Sequence, residues 1–307
     1  MTSLKGQKIL VTGLTGSVGF PVARRVAEAG NEVWGLARYG APGSRERVEA
    51  AGVHPVTADL VEADFSAVPD DFDYVLNFAV LHAPDFETAL AANAEGAGLL
   101  MGHCRKARAF LHCSTTGVYQ PNGRRAFTET DPLGDNHRAA GMTTYSISKI
   151  AAEAVVRVTG RLLGVPTTIA RLNVPYGDTW GWPRMMLDWM VAGSDIYAHS
   201  DKPSVYNPIH EDDIVAMIPK LLEVAAVPAT LVNWAGADTV SIEDWCTYMG
   251  GMIGVEPRFA YSEMAIPSVA IDTTRMRELI GTPKVDWRDG FRRLVEASYP
   301  DLVKPGS

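Results

Sequence analysis

The 307 residues, 47% apolar and 21% charged, are enough chain to bury a large core in one large or two moderate domains. A formal net charge of −8 argues against the basic clustering of a nucleic-acid or membrane-surface binder. Cys104, Cys113 and Cys246 are odd in number and show no C-x-x-C spacing, so they read as reduced thiols of a cytoplasmic protein.

No targeting segment is expected. The first apolar run, Ile9-Leu10-Val11, is too short for a signal core, and the longer stretch from Val75 to Ala83 falls short of the roughly 20 residues that span a bilayer. Short apolar runs predict strands at 8–12, 32–37, 54–58, 74–78, 110–114 and 167–171. Helical patterns alternate with them at 17–29, 46–51, 86–106 and 144–163. Such alternation predicts an α/β fold with a parallel sheet covered on both faces. Beyond Tyr176 the chain is richer in Trp, Met and Pro. A helix is expected at 214–225, a strand at 230–234, and a final helix pair at 273–280 and 287–298. Residues 1–176 then form the first domain, 206–234 return to it, and the rest of 177–307 makes a smaller C-terminal substrate-binding cap.

Thr12-Gly13-Leu14-Thr15-Gly16-Ser17-Val18-Gly19 joins the first strand to the first helix. Glycines there allow a tight turn and a close backbone approach, and the helix start offers free N–H groups to a pyrophosphate. At this junction the motif predicts a Rossmann-type doubly wound sheet that holds a dinucleotide through Gly13, Thr15, Gly16, Ser17, Val18 and Gly19. About 20 residues on, where NAD sites place a carboxylate, stand Ala37 and then Arg38. A guanidinium can grip a 2′-phosphate, so NADP(H) is favoured over NAD(H). A surface arginine without a ligand is the competing reading.

Tyr145 and Lys149 are four apart in a helical pattern and share a face. A lysine ammonium beside a phenol lowers the phenol pKa toward a range useful for proton transfer. Upstream, Cys113-Ser114-Thr115-Thr116-Gly117-Val118-Tyr119 ends a predicted strand on the side where α/β sheets bind ligands. With these motifs the chain resembles the extended short-chain dehydrogenases/reductases, also called the NAD-dependent epimerase/dehydratase family. The glycine turn, an S-[ST]-x-x-V-Y signature and the Y-x-x-x-K-x-x-x-E run of Tyr145, Lys149 and Glu153 carry the likeness. It extends to Asp59-Leu60, Asn93, Ile209-His210-Glu211-Asp212-Asp213 and the tail from Asp272 to Glu296.

The resemblance implies that Tyr145 is the acid/base, that Lys149 tunes it and holds the nicotinamide ribose, and that Thr115 bonds the same substrate oxygen. Ser114 is the rival for that last role. It further implies adenine contacts at Asp59 and Leu60, Ala79 against the cofactor, Asn93 as a support, and a homodimer formed through helices 86–106 and 144–163. Small residues on those helices, Ala89, Ala91, Ala92, Gly96 and Gly98 on one and Ala151, Ala152 and Ala154 on the other, would permit close approach. His82, Thr116, Asn173 and Trp180 are the candidate substrate contacts. No metal site is expected, since His103-Cys104 and His112-Cys113 sit on different elements without a matching carboxylate.

Three departures bear on substrate. Thr116-Gly117 stand where dehydratases of the family carry Asp-Glu, so no dehydratase is expected. Asn173 comes one position early for the R-x-x-N pattern, and Val205-Tyr206-Asn207-Pro208 lacks the arginine that grips a diphosphate. Unpaired buried phosphate charge is costly, so a nucleotide-diphosphate sugar is not expected. Trp180, Trp182, Met185, Met186, Trp189 and Met190 read either as core or as the wall of a pocket for an apolar or aromatic small molecule. The leading expectation is hydride exchange on a secondary alcohol/ketone pair. An epimerase that keeps its cofactor is the alternative, and a non-catalytic dinucleotide-binding redox sensor is a third.

Overall fold

The computed structural model describes residues 4–137 and 142–304. Its centre is a seven-stranded parallel sheet made of β1 (Lys8–Thr12), β2 (Glu32–Ala37), β3 (His54–Thr57), β4 (Tyr74–Asn77), β5 (Ala109–Thr115), β6 (Thr167–Leu172) and β7 (Thr230–Trp234). The order across the sheet is β3-β2-β1-β4-β5-β6-β7, with reversal of winding beside β1. Strands covered on both faces must be apolar throughout: Ile9, Leu10 and Val11 are inaccessible, and all six residues of β6 are buried.

Helices α1 (Gly19–Glu28) and α2 (Ser44–Ala50) pack on one face, where Val22, Val26 and Val48 join the strand residues. The opposite face carries α3 (Phe86–Leu90), α4 (Gly96–His103) and α5 (Tyr145–Leu163), through Leu100, Met101 and Val156. The helix expected over 86–106 ends at His103 and is interrupted by a π-helical turn at Ala91–Glu95. The turn lets Asn93 reach sideways. Its Oδ1 accepts from the Leu81 amide at 2.7 Å, and its Nδ2 donates to the Leu81 carbonyl and to Ser148 Oγ.

The remaining helices are α6 (Trp182–Val191), α7 (Glu211–Glu223), α8 (Ile242–Ile253), α9 (Thr274–Ile280) and α10 (Trp287–Ser298). Helix α7 starts three residues before its expected position because His210 caps it, accepting from the Asp212 amide, and three carboxylates fill its first turn. With α9 it completes the first face of the sheet. Helices α6, α8 and α10 enclose a separate core around Trp245 and Phe291. Neither α6 nor α8 is predicted from the sequence; Gly250-Gly251 weaken the pattern of α8, and the Trp and Met residues of α6 read either as core or as pocket wall. Arg293 on α10 ties the two parts, bonding Asp178 at 2.9 Å and Asp212 at 2.8 Å. No described helix is long and apolar enough to cross a membrane.

Candidate active site

The turn between β1 and α1 depends on missing side chains. Gly13 has φ of +68°, and a Cβ there would stand 2.7 Å from the Ala79 nitrogen and from the Phe78 carbonyl. At Gly19 a Cβ would meet the Gly13 carbonyl oxygen at 2.6 Å. Gly16 closes the turn, donating to that same oxygen at 3.0 Å. No side chain caps α1, which leaves its first amides for an anion. Thr15, Ser17 and Val18 flank those amides. The cradle fits the pyrophosphate of a dinucleotide.

A cleft of about 110 Å³ leads away from Gly13 and Thr15 past Arg38, Asp59, Leu60 and Ala79. The sequence shows no carboxylate in the turn after Arg38, but the fold supplies one. Asp59 arrives from the end of β3 with its Oδ2 4.0 Å from the exposed guanidinium.

On the other side of Ser17 and Val18 lies a cavity of about 650 Å³ over the C-terminal ends of β5 and β6. Tyr145, Lys149, Thr115, Thr116, His82 and Trp180 all line it. Thr115 closes β5, and its hydroxyl accepts from the Gly117 amide at 3.0 Å and lines the same cavity as the Tyr145 phenol. The Ser114 hydroxyl is committed elsewhere, donating to Glu153 Oε1 at 2.6 Å. Glu153 is held in turn by a two-pronged pair from Arg171, at 2.9 and 2.7 Å, with both side chains almost wholly buried. Arg171 lies 4.8 Å over the Tyr119 ring, whose hydroxyl bonds Asn233. A fixed polar layer therefore underlies the residue that faces the cavity.

The electrostatics differ from the expectation in one respect. Burial pushes the Tyr145 phenol up to about 12, and the Thr115 hydroxyl offsets only part of this. Lys149 is not among the groups that bring it down, and its Nζ donates to the Cys113 carbonyl at 2.7 Å. Burial lowers the lysine's own pKa. Two histidines frame the phenol: His82 stacks on it with ring centroids 5.1 Å apart, and His137 meets it edge-on at 5.0 Å. No sequence pattern singles out His137, which lies in the loop before α5.

Asn173 is a correction. Expected to touch substrate, it has no accessible surface, and its amide donates to Thr116 Oγ1 and the Val269 carbonyl. Its oxygen accepts from the amides of Val174 and Asn207, so no polar capacity remains. It is a strut beneath Thr116. The Trp/Met cluster divides: Met186 and Met190 are core, whereas Trp180, Trp182 and Met185 face the cavity. Among the described residues lining that cavity, Lys149 is the one Lys or Arg. Cys113 is also in the wall, its thiol pushed up to about 11 by burial, and all three cysteines are free.

Comparison with known proteins agrees with this geometry. The model of the NAD dependent epimerase/dehydratase family matches residues 9–231. The chain belongs to that family. A probable UDP-glucuronate 4-epimerase of Rhizobium meliloti (strain 1021) is 27% identical over 94% of this chain and 96% of its own length. Among solved structures, the UDP-glucuronic acid 4-epimerase of Bacillus cereus, in complex with UDP-glucuronic acid and NAD, superposes with a TM-score of 0.81. It is 19% identical and covers 94% of this chain and 98% of that one. The Bordetella bronchiseptica enzyme WbmG in complex with NAD gives 0.78 at 22% identity, covering 95% and 94%. Family membership makes this chain an enzyme of the nicotinamide-dinucleotide type. Against such relatives, the exclusion of nucleotide-diphosphate sugars does not stand. One missing arginine is weak grounds, because backbone N–H groups can also carry a diphosphate.

Proposed function

We propose that the enzyme is a sugar epimerase that oxidises a secondary alcohol and reduces it again at the same carbon, the sugar being carried on a nucleoside diphosphate. The observation that carries this reading is that Tyr145 and Thr115 line one cavity together with Ser17 and Val18 of the glycine turn. Phenol and hydroxyl converge on one substrate oxygen. Tyr145 takes the alcohol proton and later returns it, Thr115 orients the oxygen, and Lys149 is one helical turn along for a ribose hydroxyl. When bound, the nicotinamide supplies a hydride acceptor that can give the hydride back, and its positive charge in the oxidised form favours the phenolate. The cavity leaves room for a six-membered ring to turn over between the two transfers.

Incubation with UDP-glucuronate or UDP-glucose and a trace of cofactor tests the reading. The expected result is the C4 epimer in the NMR spectrum without net change in nicotinamide absorbance. A stoichiometric absorbance change without epimer would instead make the enzyme a net dehydrogenase.

For the form of the cofactor our reading is NADP(H), carried by Arg38. A charge-assisted bond to the 2′-phosphate is worth roughly 1.5–3 kcal/mol. Arg38→Ala is therefore expected to weaken NADPH about tenfold or more and NADH little. Equal losses on titration of the two would refute it, and the Asp59 carboxylate would then be the group that reads the ribose.

We also infer a homodimer. Of the small residues named for its contact, Ala89, Ala92, Gly96, Gly98 and Ala152 are buried within the chain, whereas Ala91 and Ala151 are half-buried and Ala154 is exposed. At Gly98 a Cβ would lie 2.5 Å from Val155, so this stripe packs α4 on α5. What α4 and α5 leave open is Leu99, Ile147, Val158 and Leu162, the last 79% exposed. Light scattering at micromolar concentration should give twice the chain mass for the wild type and the monomer mass for Val158→Glu/Leu162→Glu. A monomeric wild type would rule the dimer out.

A further inference from the structure

His137 is built into the cavity wall beside the reacting groups. Its ring is buried, meets the Tyr145 ring at 63°, and lines the same space as Thr115 and Thr116. One ring nitrogen is fixed from two directions: the Asn136 side-chain oxygen stands on Nδ1, and Ser146 Oγ is 3.2 Å from it. A ring nitrogen facing an amide oxygen carries the hydrogen, so Nε2 keeps the lone pair. Among the described residues, no donor is bonded to Nε2. Burial holds the ring neutral, its pKa pushed down to about 4.

Gly117 makes the room for this imidazole. A Cβ at that position would stand 2.4 Å from His137 Cε1 and 2.8 Å from Nδ1. This is the place at which a dehydratase would carry an acid. Here the space goes to a neutral imidazole that lines a largely apolar chamber.

We propose that His137 is a substrate-contacting residue whose Nε2 accepts a hydrogen bond from a hydroxyl on the carbon next to the one being oxidised, so that the site selects vicinal diols. Tyr145 and Thr115 already claim the reacting oxygen. The imidazole lies against the phenol, so the next hydroxyl along a sugar ring falls within its reach, while an isolated alcohol or ketone leaves Nε2 without a donor. An acceptor buried unpaired costs free energy, which is how a polar group in an apolar wall rejects a substrate lacking the partner. His82 stacks on the same phenol but from an exposed position, where water can satisfy it. The inference deepens the epimerase reading and rests on it only for the natural ligand.

The test uses two small probes with added cofactor: trans-cyclohexane-1,2-diol, the smallest ring with the required pair of hydroxyls, and cyclohexanol. Oxidation is read as nicotinamide absorbance. Wild type is expected to prefer the diol by about tenfold in kcat/KM, the size of one buried hydrogen bond. His137→Phe keeps the ring against Tyr145 and should bring that ratio close to the statistical factor of two. His137→Gln, which returns an acceptor near the Nε2 position, should restore most of the preference, and Gly117→Ala should lose it by displacing the ring. Melting temperatures show that each variant is folded. A diol preference retained by His137→Phe overturns the proposal, and so does a wild type that shows no preference or oxidises neither probe. Epimerisation of UDP-glucuronate by the same preparations separates the two readings. No epimer but a His137-dependent diol preference sinks only the epimerase, whereas epimerisation at an undiminished rate by His137→Phe sinks only the role of His137.

Discussion

Tyr145→Phe is expected to lower turnover by about 10²- to 10⁴-fold, the range of a general acid/base, while leaving dinucleotide binding intact. The substitution removes one oxygen and almost no volume, so the stack with His82 and the edge contact with His137 persist. The cofactor cradle, built from Gly13, Gly16 and Gly19, is untouched. What is lost is the phenolic hydroxyl, the group that takes the proton beside Thr115. Steady-state rates with cofactor affinity measured alongside decide it. Retention of more than about a tenth of the wild-type rate would remove the phenol from the mechanism.

The largest stability effect should come from Arg171→Met. The guanidinium and the Glu153 carboxylate are 2% and 0% exposed, and each is the other's principal partner. Removing one leaves a buried charge uncompensated, at a cost of about 3–5 kcal/mol. For a chain of this size that corresponds to a fall in melting temperature of about 5–8 °C. The Glu153→Leu/Arg171→Met double variant should recover much of the loss, since an apolar pair of similar volume is often neutral. Activity should also suffer in the single variant, because Ser114 and hence the end of β5 hang from the same carboxylate. A single variant that melts within about 2 °C of wild type would show that water reaches the pair.

How far the sequence reaches depends on which interactions set each feature. Strands β1, β2 and β7 begin and end where their apolar runs do, because a strand buried on both faces is written as an uninterrupted run. The signature offers two adjacent hydroxyls, Ser114 and Thr115, and it is the fold that commits the Ser114 hydroxyl to Glu153. The break at Ala91–Glu95 was not legible, since it answers to partners at Leu81 and Ser148 that periodicity does not contain. Nor was the sign of the shift at Tyr145, because the walls that bury it come from β6 and the cap. Asp59 beside Arg38 and the closed hydrogen-bond set of Asn173 are likewise products of the assembled fold. Spacing along a chain identifies which chemistry is present, and tertiary structure decides which atoms are free to perform it.

The seventh strand has a consequence for synthesis. β7 pairs with β6 in parallel, residue for residue from Thr230↔Thr168 to Trp234↔Leu172, yet almost sixty residues of chain separate them. While the ribosome is making that intervening stretch, β6 is an unprotected border with its N–H and C=O groups unpaired, a template for a second nascent chain. Thr168 and Ile169, inaccessible in the finished protein, lie along that border. Once Trp234 has been added the border passes to β7, where Glu129 accepts from the Asn233 amide and Arg275 donates to the Leu231 carbonyl.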